Sequence, residues 1–139
     1  MKGQIMRPCY VAGRYRVYRE DGSLDLDAMV VEINKERAAA IRIAQCGLMP
    51  FCPLANSVHI EGAVDWDAEK WIKGDLIVIK GFSFVQGAVY MRPGWDCPPA
   101  SEGATKEYNL ALRLFMPVIL GGGKYEEEHM ISLGERHDW

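Results

Sequence analysis

Four short apolar runs, Cys9–Ala12, Leu48–Cys52, Ala88–Met91 and Pro117–Leu120, are spaced along the chain with intervals long enough for helices between them. No two-residue hairpin signal links one run to the next, and parallel strands require long crossovers of this kind. Strand alternating with helix predicts an α/β fold: a doubly wound, flavodoxin-like or Rossmann-like, mostly parallel sheet of four to five strands with helices on both faces. The first interval holds a polar loop from Arg14 to Asp27, where Asp21-Gly22 signals a turn that closes a small excursion. Met29, Val30, Ile33, Ala40, Ile41 and Ala44 then recur at helical spacing, predicting a helix from about Leu26 to Cys46 that Gly47 ends. A second helix is expected from Trp66 to about Ile79, with Asp65 as its cap after a loop through Pro53, Asn56 and His59. A third runs from Ser101 to about Phe115, and a charged tail after Gly121 has room for one more short helix.

The chain of 139 residues is read as a single domain, 1–139, with its core over about 8–120 and a charged tail over 121–139. Half of it is hydrophobic, enough for a core without disulfide or metal support. A net charge of −3 argues against a nucleic-acid duplex as partner. Cys9, Cys46, Cys52 and Cys97 form no CxxC pair and are expected as reduced thiols in a cytoplasmic protein. Arg7 and Pro8 interrupt any apolar leader, and no run approaches the roughly 18 apolar residues of a membrane span, so no membrane partner is expected. His59, His129 and His137 are scattered, without Cys/His ligand spacing, and no metal site is expected.

Chemistry concentrates after the third apolar run. Pro93, Gly94, Trp95, Pro98 and Pro99 fix the path of a loop that leads to Ser101, a good N-cap. Glu107 follows in the second turn, with Gly103 four residues and Ala104 three residues before it on the same helical face. Two nearly absent side chains leave open space beside a carboxylate near the positive end of a helix dipole. That carboxylate is expected to be ionised, reachable by a small molecule, and nucleophilic. In a doubly wound sheet ligands bind outside the carboxyl ends of the strands. Gly13, Arg14, Arg16, Trp95, Ser101 and Glu107 all follow strand ends, so one cleft is expected to collect them.

From Pro8 to Leu120 the chain resembles the nucleoside 2-deoxyribosyltransferase superfamily, including nucleoside 5′-monophosphate N-hydrolase-like members. The residues that carry the resemblance are Tyr10-Val-Ala-Gly13-Arg-Tyr-Arg16, Met49-Pro-Phe-Cys-Pro53, Trp71-Ile-Lys-Gly-Asp75-Leu, Pro93-Gly-Trp95 and Ser101-x-Gly103-Ala-x-x-Glu107. The resemblance implies cleavage or transfer at the N-glycosidic bond of a nucleoside or nucleotide, without a cofactor, in a homo-oligomer (dimer or higher). Glu107 matches the glutamate that attacks C1′, Asp75 the aspartate that handles a proton at the departing base, and Tyr10 a tyrosine that positions the carboxylate. Ser101 matches a serine close to the phosphate in the monophosphate hydrolases. This implies a 5′-phosphorylated substrate with Arg14 or Arg16 as phosphate partners. Gly13, Trp95 and Gly103 complete the implied substrate-binding set.

Where family members carry an aspartate before the third strand, this chain has Gln86-Gly87. That departure motivates an alternative expectation, a nucleotide-binding or sequestering protein without catalysis. Asp75 also has Lys70 and Lys73 on its own helix as conventional partners, Tyr10 fits a core position, and Trp95 could brace its loop as well as stack on a base. Cys97 lacks a suggestively spaced histidine and is read as an ordinary thiol, and Glu126-Glu127-Glu128 as a solvated face. Whether water or a second base resolves the intermediate is open at this stage.

Overall fold

The computed structural model describes residues 6–57, 60, 63–64 and 66–135. Four strands, β1 (Pro8–Ala12), β2 (Met49–Phe51), β3 (Ala88–Met91) and β4 (Val118–Leu120), form one sheet in the order β2-β1-β3-β4. Every pairing is parallel, with Tyr10 opposite both Phe51 and Val89, and Tyr90 opposite Ile119. Helices α1 (Leu26–Gln45), α2 (Pro53–Ser57), α3 (Ala68–Ser83), α4 (Glu102–Arg113) and α5 (Glu126–Glu135) fill the intervals. The expected α/β doubly wound architecture is therefore the observed one, with four strands among the described residues.

Period-two alternation in the buried strands divides the core. Cys9, Val11, Ala88, Tyr90 and Ile119 face Ala39 and Ile43 of α1 and Met130 and Leu133 of α5. Tyr10, Ala12, Val89 and Met91 face Ile79 of α3 and Ala104 and Ala111 of α4. Pro50 lies on edge strand β2, where its missing N–H costs no ladder bond.

The excursion after β1 is closed by an antiparallel bridge between Tyr18 and Leu24, with Gly22 at φ +85° and Asp21 accepting from Ser23 N–H at 2.9 Å. Two boundaries differ from the sequence expectation. α3 begins at Ala68, not Trp66, because the Asp67 side chain caps it by accepting from Lys70 N–H at 2.9 Å, and it continues past Gly81 to Ser83. Residues 53–57, expected as loop, form the short helix α2. Asp65, His59 and His137 lie outside the described residues.

The charged tail joins the core. Gly134 packs so closely on the end of α1 that a Cβ there would fall 2.0 Å from the Cys46 carbonyl oxygen. Glu126, expected on a solvated face, instead accepts a hydrogen bond from the Tyr90 hydroxyl and lies 3.5 Å from Arg42. Glu127 and Glu128 are exposed. The four cysteines are free thiols, and none of the described helices is long and apolar enough to cross a membrane.

Candidate active site

The chain leaves β1 towards β2 on one side and later crosses to β3 on the other, so the switch point lies where β1 and β3 end. A cavity of about 480 Å³ opens at the end of β1. That size suits a small organic ligand. Val11, Ala12 and Gly13 bring the end of β1 to it, and the Arg14–Tyr18 segment forms one rim. Ser101, Gly103 and Ala104 of the α4 start form another wall, while Trp71 and Ile72 of α3 supply apolar surface.

Four acidic residues line this cavity: Glu36 from α1, Asp75 from α3, and Glu102 and Glu107 from α4; Glu102 is exposed at the rim and pairs with Lys106 at 3.1 Å, which leaves three carboxyls inside. Asp75 is not held by its neighbouring lysines, since Lys73 pairs with Glu69 at 3.3 Å and the Lys70 ammonium lies over the Trp66 ring. Glu107 is 6% exposed, so it lies at the cavity floor instead of standing bare at a mouth. Burial, with the Asp75 and Glu36 charges added, pushes its carboxyl up to about 8, against the lowering influence of Tyr10 and Arg92. The expectation of an ionised Glu107 is thus corrected towards a carboxyl that burial keeps protonated more readily. Glu107 is six residues beyond the Ser101 cap, past the first turn where the helix dipole acts, and desolvation dominates there.

Asp75 is also raised, to about 6, by burial, with the Tyr10 hydroxyl pulling the other way. Tyr10 itself is fully buried beneath the floor, on the sheet face that α3 and α4 cover. Burial and then the Glu107 and Asp75 charges raise its phenol well above 10. Its hydroxyl influences both carboxyls, yet it makes no hydrogen bond of ordinary geometry to either. The three groups are gathered at one place without ordinary hydrogen bonds between them.

Gly103 lets α4 approach Ile72 of α3 closely beside this group. A Cβ there would lie 3.9 Å from Glu107 Oε1 and 3.3 Å from Ile72 Cγ1. Ser101 caps α4, accepting from Ala104 N–H at 3.3 Å, as its position in sequence predicts. Arg14 and Arg16 both line the cavity. The Arg14 guanidinium is already engaged: Nη2 donates to the carbonyls of Cys97 and Pro99 at 2.7 Å each, with the Gly94 carbonyl at 3.5 Å. It therefore clasps the Pro93–Ala100 loop. Trp95 is not brought into the cavity; its ring packs 4.8 Å from the Tyr108 ring and braces that loop against α4.

Glu36 and Arg92 complete the site, and neither was expected from sequence. Glu36 is 2% exposed and occupies the buried stripe of α1 with Met29, Ala39 and Ile43. A carboxylate seven residues from Met29 and seven from Ile43, within an apolar stripe, is the signal that could have revealed it. Arg92 is buried just behind the rim, paired with Glu32 at 2.8 Å and donating to the Arg14 carbonyl at 2.5 Å. Gly13 exists for it: a Cβ at that position would fall 2.5 Å from Arg92 Nε. Among the described residues no group of three or more His, Cys, Asp or Glu side chains gathers as a metal cluster.

Comparison with known proteins adds no identity: no family model, curated protein or solved structure matches the chain.

Proposed function

We propose that the protein cleaves or transfers the N-glycosidic bond of a nucleoside or nucleoside 5′-monophosphate, with Glu107 as nucleophile and Asp75 as proton donor. One observation carries the reading: two carboxyls whose affinities for protons have been driven apart, with a tyrosine hydroxyl affecting both, at the floor of a ligand-sized cavity. With values near 8 and 6, the pair holds about one proton near neutral pH. One acid and one carboxylate are what displacement through a glycosyl-enzyme ester needs.

Both carboxyls are raised, and for the reaction the shared proton must sit on Asp75. A leaving base against Asp75 offers that proton an acceptor, while positive charge growing at C1′ favours an ionised Glu107. The Tyr10 hydroxyl serves as a positioning group that donates to whichever carboxylate is charged. A Glu107 oxygen then bonds to C1′ as the C1′–N bond breaks. The bonding pair leaves on the base nitrogen, which takes the Asp75 proton. Water, giving a proton back to Asp75, hydrolyses the ester; a second base in its place makes the reaction a transfer. A 5′-phosphate would meet Arg16 and the start of α4.

The test is to incubate purified protein with nucleosides and their 5′-monophosphates and follow base release by chromatography. Release is expected from wild type and absent from Glu107→Gln. Release that continues unchanged in Glu107→Ala removes that residue from the mechanism.

A second reading is favoured by the Arg14 clasp and by the burial that raises the Glu107 carboxyl: a nucleotide-binding protein without turnover. Tight calorimetric binding of a nucleotide recovered intact would select it. A homo-oligomer belongs to the proposal as well, and sedimentation of the purified protein tests it.

A further inference from the structure

The inside of the cavity is acidic, whereas the cations around it stand on the rim or are engaged elsewhere. Asp75 and Trp71 lie four residues apart on α3, on the same side of the helix, and both line the cavity. Lys73 is paired with Glu69 at 3.3 Å, and Lys70 is held over the Trp66 ring, 5.8 Å from its centroid. Arg92 is paired with Glu32 behind the rim, and Arg14 Nη2 donates to the loop carbonyls of Cys97 and Pro99. Among the described residues, no lysine or arginine forms an ion pair with Asp75 or Glu107.

Glu107 supplies a second observation. It is more than nine-tenths buried, and its Oε2 has no hydrogen-bond partner. Its Oε1 lies 3.9 Å from where a Cβ of Gly103 would stand on the cavity wall. An acid taken out of water without a counter-charge is costly, and a positive ligand supplies one. An indole face also attracts cations, more strongly where water is excluded. A carboxylate and an indole one helical turn apart therefore suit a flat, positively charged ring. In a nucleoside that ring is the base.

We propose that the cavity takes nucleosides whose base is a cationic ring, pyridinium ribosides being the simplest, with Trp71 against the ring and Asp75 as its counter-charge. The inference rests on the reading of the cavity as a nucleoside site and narrows its substrate. A cationic base needs no proton to depart, so for such a substrate Asp75 acts as a carboxylate and not as an acid. A carboxylate oxygen of Glu107 bonds to C1′, the C1′–N bond breaks, and its electron pair neutralises the ring nitrogen. The positive ring also favours the ionised form of Glu107, which burial opposes.

The experiment compares nicotinamide riboside with its C-glycosyl benzamide analogue, which keeps the shape and lacks the charge. Calorimetry reads binding, and chromatography follows free base in the same mixtures. Wild type near neutral pH is expected to bind the charged compound about tenfold or more tightly. In Asp75→Asn the preference falls below about threefold while the neutral analogue binds as before. In wild type the pyridinium affinity rises as pH passes upward through about 6, where Asp75 ionises, and that of the neutral analogue does not. The other charged groups lining the cavity are Glu36 and Glu107 inside it and Glu102, Arg14 and Arg16 at the rim. Equal affinity for the two compounds, a preference that survives Asp75→Asn, or a pyridinium affinity that is flat in pH overturns the inference. Should Asp75→Asn not fold, the wild-type pair and its pH dependence decide alone. Base release from neutral nucleosides without a charge preference sinks this inference only. A charge preference without base release sinks the nucleophile reading and leaves recognition of the cation standing. No binding of either compound or of any neutral nucleoside sinks both.

Discussion

Replacing Glu107 by glutamine should make the protein more stable, and more so at high pH. Burial and the neighbouring Asp75 and Glu36 charges raise the Glu107 carboxyl from 4.5 to about 8. Between those values the folded chain binds more protons than the unfolded one. Its stability is therefore intact below about pH 4.5 and declines as pH rises through the window. At about 1.4 kcal/mol per pH unit, the ceiling on this cost is on the order of 5 kcal/mol. Part of that is repulsion shared with Asp75 and Glu36, and glutamine still buries a polar amide. We therefore expect a gain of about 2 kcal/mol at pH 8.5 and less than about 0.5 kcal/mol at pH 4.5. In a chain of this size the larger figure raises Tm by roughly 5–10 °C. Thermal unfolding followed by circular dichroism at both pH values measures it. A variant no more stable than wild type at pH 8.5 would mean that the Glu107 charge is well solvated, and the account of the cavity floor would fail. The expected result is the familiar exchange of stability for a poised group at a functional site.

Three further outcomes follow from the same geometry. The pH profile of kcat/KM for base release should be bell-shaped, rising through about 6 and falling through about 8, because the one-proton form of the Asp75–Glu107 pair is the active one; a profile flat from pH 5 to 9 contradicts it. Gly13→Ala should lower stability by about 1–3 kcal/mol, since a Cβ 2.5 Å from Arg92 Nε must displace a buried guanidinium; in an Arg92→Met background the same change should cost under about 1 kcal/mol, and an equal cost in both backgrounds rejects the clash. Gly103→Ala should leave Tm within about 3 °C but weaken turnover more than about tenfold, its methyl meeting Glu107 Oε1 at 3.9 Å and Ile72 at 3.3 Å; unaltered steady-state kinetics would show that this space is not used.

Much of the fold was legible because buried parallel strands write themselves as short apolar runs, and glycines punctuate them. Ser101 was readable as a cap, whereas the offsets of Gly103 and Ala104 from Glu107 implied open space that Ile72 of α3 partly fills, 3.3 Å from where a Cβ of residue 103 would lie. What misled was the environment of that carboxylate. Helix position suggests charge stabilisation, whereas desolvation depends on β1, α1 and α3, which are distant in sequence. α2 escaped notice because five residues beginning with proline carry no period. Glu36 was hidden for the opposite reason, since α1 has a clear period and a single charged residue within it reads as noise. Trp95 illustrates a local pattern with two outcomes: its partner, Tyr108, settles which one is realised.

The Arg14 clasp has a bearing on any titration of this site. Its acceptors are peptide oxygens of residues 94, 97 and 99, which neither gain nor lose protons in the range where proteins stay folded. One side of the chamber thus holds its shape while acidity changes, so a response to pH reports on the acidic floor and not on a moving wall.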